Sequence, residues 1–90
     1  MIDNNNNSDY TDLLELSEFY ILSQKYEEAI KILKKAQKLN NRDPKLYYNL
    51  GIAHEALNDR EKAIDSFRQA LSLDSSFKIA QEHLDRLVKG

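Results

Sequence analysis

Few side chains in this chain could do chemistry, and their spacing limits what that chemistry could be. His54 and His83 are the only histidines, and there is no cysteine. His54-Glu55 opens like the helical zinc-protease motif, in which two histidines four residues apart share one helix face. Asn58 stands where the second histidine must be. His54 therefore reads as a packed substitute for an aromatic ring. Asp3, Asn5, Asn7 and Asp9 place oxygen atoms at alternate positions, as a calcium-binding loop begins. However, the sixth position is Ser8 instead of glycine, and the twelfth is Leu14 instead of a bidentate glutamate. No glycine-rich loop could cradle a phosphate, and the serine–histidine pairs are incidental. The expectation is no catalytic residue, no metal site, no cofactor and no enzyme activity.

Lys31, Lys34, Lys35 and Lys38 form a basic stripe at helical spacing. Nucleic-acid binding would need aromatic platforms beside it, and none accompanies the stripe. It reads as a solvated outer face, helped by Glu27 four residues before Lys31. The formal net charge is only -2, with both signs mixed, so no charge argument points to nucleic acid or an acidic membrane surface. The opening MIDNNNN lacks the basic and apolar regions of a signal peptide. The apolar run Phe19–Leu22 is too short to span a membrane. A cytoplasmic setting is expected, with neither nucleic acid nor membrane as a partner.

These residues must be positioned by helices. From Tyr10 onward apolar side chains recur at i, i+3, i+4 and i+7. Breaks near Ser23–Lys25, Asn40–Asp43, Asn58-Asp59 and Asp74–Ser76 divide the chain into five helices. Asp43 can cap the third helix, with Pro44 at its first position, where the missing N–H is no loss. Asn58 tolerates the left-handed conformation that ends a helix, and Asp59 can cap the next. Ser75 or Ser76 can cap the last.

A shift of 34 residues superimposes the chain on itself. Leu16 falls on Leu50 and Leu50 on Leu84; Glu27 falls on Glu61, Ala29-Ile30 on Ala63-Ile64, Ala36 on Ala70, and Leu39 on Leu73. Small residues at fixed places in successive units mark close backbone approach. The second unit reads Tyr47-x-x-Leu50-Gly51-x-x-His54, then Ala63-x-x-x-Phe67-x-x-Ala70. The first reads Leu13-x-x-Leu16-Ser17-x-x-Tyr20, then Ala29-x-x-x-Leu33-x-x-Ala36. This pattern resembles the tetratricopeptide repeat, a helix–turn–helix unit of 34 residues. Leu13 and Gln81 replace its leading aromatic, His54 replaces its second, and Pro44 comes slightly late.

The resemblance implies an all-α, right-handed helical-repeat solenoid: two helix pairs and a C-terminal capping helix. The divisions are a polar tail over 1–9, expected to be mostly disordered, repeats over 10–43 and 44–76, and the capping helix over 77–90. In the last helix Ala80, Leu84, Leu87 and Val88 would face inward, and Gln81, Glu82, Asp85, Arg86 and Lys89 outward. In the first, Leu13, Leu16, Ser17 and Tyr20 would form the core stripe, leaving Leu14, Ile21 and Leu22 for the groove.

The resemblance also implies protein–protein interaction through the concave groove. Its expected lining is Leu14, Glu18, Ile21, Tyr48, Asn49, Ile52, Glu55 and His83, with Tyr48 either touching a partner or shielded by its neighbours. Ile79 and Arg86 would join from the last helix. An apolar groove rimmed by Glu15, Glu18, Glu55 and Glu82 suits an amphipathic helix or extended peptide carrying basic residues. The family's carboxylate clamp for acidic chaperone tails is not matched. Only Asn49 fits it; Leu14, Glu18, Ile79 and His83 stand where lysine, asparagine, lysine and arginine belong, and Glu18 would repel such a tail. The alternative is a structural role, with two copies associating through the uncapped first helix.

Overall fold

Five α-helices follow one another among the residues described by the computed structural model, 6–89: α1 Asn6–Leu22, α2 Tyr26–Leu39, α3 Pro44–Ala56, α4 Arg60–Leu73 and α5 Lys78–Lys89. They form two antiparallel pairs and a closing helix. α1 packs on α2 and α3 on α4, α2 and α4 each pack on the helix that follows, and α1 also meets α3. The result is an all-α helical-repeat solenoid with principal extents of 50 × 27 × 17 Å.

The breaks fall where the sequence places them. The Asp43 side chain accepts from the Lys45 backbone N–H at 3.0 Å, with Pro44 opening α3. Asp59 accepts from the N–H of Lys62 at 3.3 Å, and Asn58 takes a left-handed φ of 63°. Gln24, one repeat earlier, adopts a φ of 62°, so both units turn the same corner. Leucine-rich and alanine-rich faces then close the interior. Ala29, Leu33, Ala36, Ala63, Phe67 and Ala70 are fully buried in the second helices of the pairs. Two hydroxyls tie down the α2–α3 loop. Tyr10 donates to Asp43 at 2.8 Å, and Tyr47 donates to the Asn41 carbonyl at 2.8 Å. Burial, followed by that bond to Asp43, holds the Tyr10 phenol protonated well above its usual range.

Several expectations are corrected. α1 begins at Asn6, so residues 6–9 of the expected polar tail are helical, while 1–5 lie outside the described residues. Neither Ser75 nor Ser76 caps α5, which begins at Lys78. Asp74 instead accepts from both the N–H and the hydroxyl of Ser76, closing a turn ahead of the helix. Leu14 and Leu16 exchange roles: Leu14 is 8% exposed and belongs to the core cluster, whereas Leu16 is 39% exposed. Leu14 lies on the side of α1 that meets α3, and Leu16 on the side where no earlier unit stands. At the far end Val88 is exposed, because α5 has no second helix of its own to cover it.

Candidate functional site

The first helices of the units, α1, α3 and α5, present the candidate site. A 34-residue repeat sets equivalent side chains beside one another, so the face is a series of junctions. At the α1–α3 junction, Glu18, Ile21, Leu22, Tyr48, Asn49 and Ile52 line a concave pocket of about 290 Å³. Ile21 and Ile52 are half-buried, while Leu22 stands 84% exposed at its edge. The Asn49 amide is nearly buried and donates to the Glu18 carboxylate at 3.1 Å. Asn49 thus acts as a support that aims Glu18, with little surface left for a partner. A hydrogen bond from a neutral amide leaves the carboxylate its charge, so the pocket combines an apolar floor with one anionic group.

The α3–α5 junction is built from the counterparts of these residues and behaves differently. Tyr48 is hemmed in by rings. Its centroid lies 5.3 Å from Phe77, 5.7 Å from His83 and 5.9 Å from Phe67. His83 stacks on Phe67 at 5.1 Å with the planes 17° apart. Such contacts add to plain apolar burial. Burial, and next the nearby Glu55 carboxylate, raise the Tyr48 phenol above its usual value. Of the two roles open to Tyr48, shielding by its neighbours accounts for most of its surface.

Above these rings lies a small polar cluster. His83 Nδ1 is 3.3 Å from Glu55 Oε1 and 2.9 Å from Arg86 Nη2, and Arg86 is 3.8 Å from the other Glu55 oxygen. One nitrogen cannot donate to Glu55 and accept from Arg86 at once. The shorter contact favours Nδ1 as the acceptor, leaving Glu55 paired with Arg86 through charge. Two of the predicted carboxylates therefore differ. Glu18 faces the pocket without a cation, while Glu55 is partly neutralised.

Of the eight predicted lining residues, Glu18, Ile21, Tyr48, Asn49 and Ile52 share the first pocket, Glu55 and His83 form the second cluster, and Leu14 is withdrawn into the core. Sequence reasoning misses the end of α1, where Leu16 and Phe19 are exposed. The 34-residue shift could have exposed it, because these two align with residues packed against an earlier unit that α1 lacks. His54 is buried, as a substitute for an aromatic should be, and that burial lowers its affinity for a proton. Lys31, Lys34, Lys35 and Lys38 are all exposed. Among the described residues no group of three or more His, Cys, Asp or Glu side chains could hold a metal, and no helix is long and apolar enough to cross a membrane.

Known proteins share this arrangement. A tetratricopeptide repeat family model matches residues 44–77, and a second, a TPR repeat model, matches residues 19–58. Heat shock protein STI1 of Saccharomyces cerevisiae is 35% identical over 68 residues, which are 76% of this chain and 12% of that protein. The two model matches run together from 19 to 77 and fall on the same helix pairs that the coordinates pack. This chain belongs to the tetratricopeptide repeat family, whose domains are non-catalytic modules of protein–protein interaction.

Proposed function

We propose that this domain binds an amphipathic helix or extended peptide of another protein along its concave face, and that the ligand carries basic residues. The observation that carries this is the α1–α3 pocket, with Ile21, Leu22 and Ile52 as its apolar surface and the Asn49-supported Glu18 carboxylate at its wall. Exposed apolar surface rimmed by polar groups is the ordinary mark of a docking site. A ligand side chain with an aliphatic stem and a cationic head, such as lysine or arginine, matches both parts at once. An acidic peptide tail would meet Glu18 unfavourably. An adaptor or scaffold role in the cytoplasm follows naturally from such binding.

Ile52→Glu is the informative change. Tyr48→Ala would also strip contacts from Phe77 and His83, mixing folding with binding. Ile52 lies half-buried in the pocket wall, so a glutamate there can reach solvent. Affinity capture with wild type and Ile52→Glu, each checked by thermal melting, is expected to show partner loss with little change in Tm. Capture of the same partners by both proteins would rule out the groove.

A further inference from the structure

We infer that the outward face of α1 is a second docking surface, which takes a basic amphipathic helix from another protein at the place an earlier repeat's second helix would occupy. The repeat itself supplies the comparison. Leu16 and Phe19 of α1 are 39% and 60% exposed, whereas their counterparts 34 residues on, Leu50 and Ala53 of α3, are 3% and 0% exposed. α3 has the unit α1–α2 beside it, and α1 has no unit before it among the described residues. In α5 the same places hold Leu84 and Leu87, partly buried against the core, with α4 alongside. Twice in this molecule, then, the second helix of the preceding pair lies against that face. The surface on α1 continues an interface the fold already uses, and the occupant it fits is a helix.

Charge specifies that helix. Asp9, Asp12, Glu15 and Glu18 lie on α1, which carries no lysine, arginine or histidine. Asp12 is exposed at the place where α3 has the fully buried Leu46. A covering helix must therefore set a cation near Asp12 and apolar side chains over Leu16 and Phe19. Two copies of α1 facing each other would bring like charges together without a counter-charge on either helix, which disfavours a second copy as the occupant.

The chain contains a helix of the required chemistry that can serve as a probe. Residues 26–39, which form α2 and lie against α3, carry Lys31, Lys34, Lys35 and Lys38 against Glu27 and Glu28. An acetylated and amidated peptide of that sequence, titrated into the intact isotopically labelled chain, reports the site through amide shifts. The expected result is perturbation centred on Asp12, Leu16 and Phe19. Phe19→Ser should weaken binding about tenfold or more. Glu15→Lys, which leaves the apolar surface whole, should also weaken it, as should replacing the peptide's four lysines by glutamate. Ile52→Glu should have no effect, which separates this face from the groove. Melting curves establish that the variants remain folded. The proposal is overturned by no binding at millimolar peptide, by shifts confined to Ile21 and Ile52, or by equal binding of the charge-reversed peptide. It is also overturned if sedimentation shows the chain alone forming a dimer that Phe19→Ser dissolves.

Discussion

In the first repeat unit Ser17 is fully buried, its hydroxyl donating to the Leu14 carbonyl at 2.6 Å. Thirty-four residues later stands Gly51, where an added Cβ would come within 2.6–2.8 Å of three Phe67 ring atoms. The residue equivalent to Phe67 in the first unit is Leu33, also fully buried. One unit thus matches a larger residue on its first helix with a smaller one on its second, and the other reverses the choice. Ser17 meets its own polar need by bonding back along the helix, so it adds no unpaired group to the core. Gly51 costs the helix about 1 kcal/mol relative to alanine. In exchange it leaves room for a phenyl ring that also stacks on His83 and touches Tyr48. The second unit thereby links its own packing to the junction with α5, which the first unit does not do through Leu33.

The strongest test of this contrast is Gly51→Leu. Phe67 is held on several sides, so the ring cannot swing away from a new side chain. Overpacking of this kind costs roughly 1–3 kcal/mol in ordinary cores and more where nothing yields. In a domain of this size, with only marginal stability to lose, unfolding at room temperature is expected by circular dichroism. A folded Gly51→Leu protein would mean that the 34-residue register is wrong.

A smaller effect sharpens the same point. Gly51→Ser alone should destabilise by about 2 kcal/mol, since the new Cβ meets the ring even though the helix gains propensity. Combining it with Phe67→Leu imports the first unit's solution into the second. The double variant should be more stable than the sum of the two single losses by about 1 kcal/mol or more in denaturant melts. Simple additivity would show that the two positions are not a matched pair.

The smallest expected effect contrasts the two units at the next consensus place, Tyr20 against His54. Burial lowers the proton affinity of folded His54 below that of an unfolded histidine. The unfolded chain then binds the proton more readily, so stability is full above the unfolded value of about 6.5 and is lost as pH falls below it. Between pH ~7.5 and ~5.5, wild type should lose more stability than His54→Gln, by under about 1 kcal/mol. Identical pH profiles for the two proteins would remove His54 as the cause.

Much of the scaffold is legible because it depends on local rules. The spacing of apolar residues yields the helices, and Asp43, Pro44, Asn58 and Asp59 mark their ends through bonds made within a few residues. Gln24 escapes notice because glutamine rarely turns left-handed. Only its alignment with Asn58 betrays it. The α5 cap is missed because Asp74, with two acceptor oxygens, outcompetes either serine. The site is less legible. In this fold a first helix touches its own partner, the unit before it and the unit after it, so apolar residues occur nearly all the way round. Periodicity shows that Leu13, Leu14, Leu16 and Ile21 are apolar, but it does not say which neighbour covers each one.

Sequence alone therefore determined five helices, their order, their 34-residue repeat and the small residues that let the pairs close. Those properties rest on backbone propensity, capping and side-chain size, all of which act locally. Tertiary structure decided that Leu14 is buried and Leu16 is not, that Asn49 supports Glu18, and that Tyr48 and His83 belong to a stack of rings. It also left Phe19 uncovered. Exposure depends on which helices stand beside a residue, and at the end of a stack of repeats the neighbour on one side is missing.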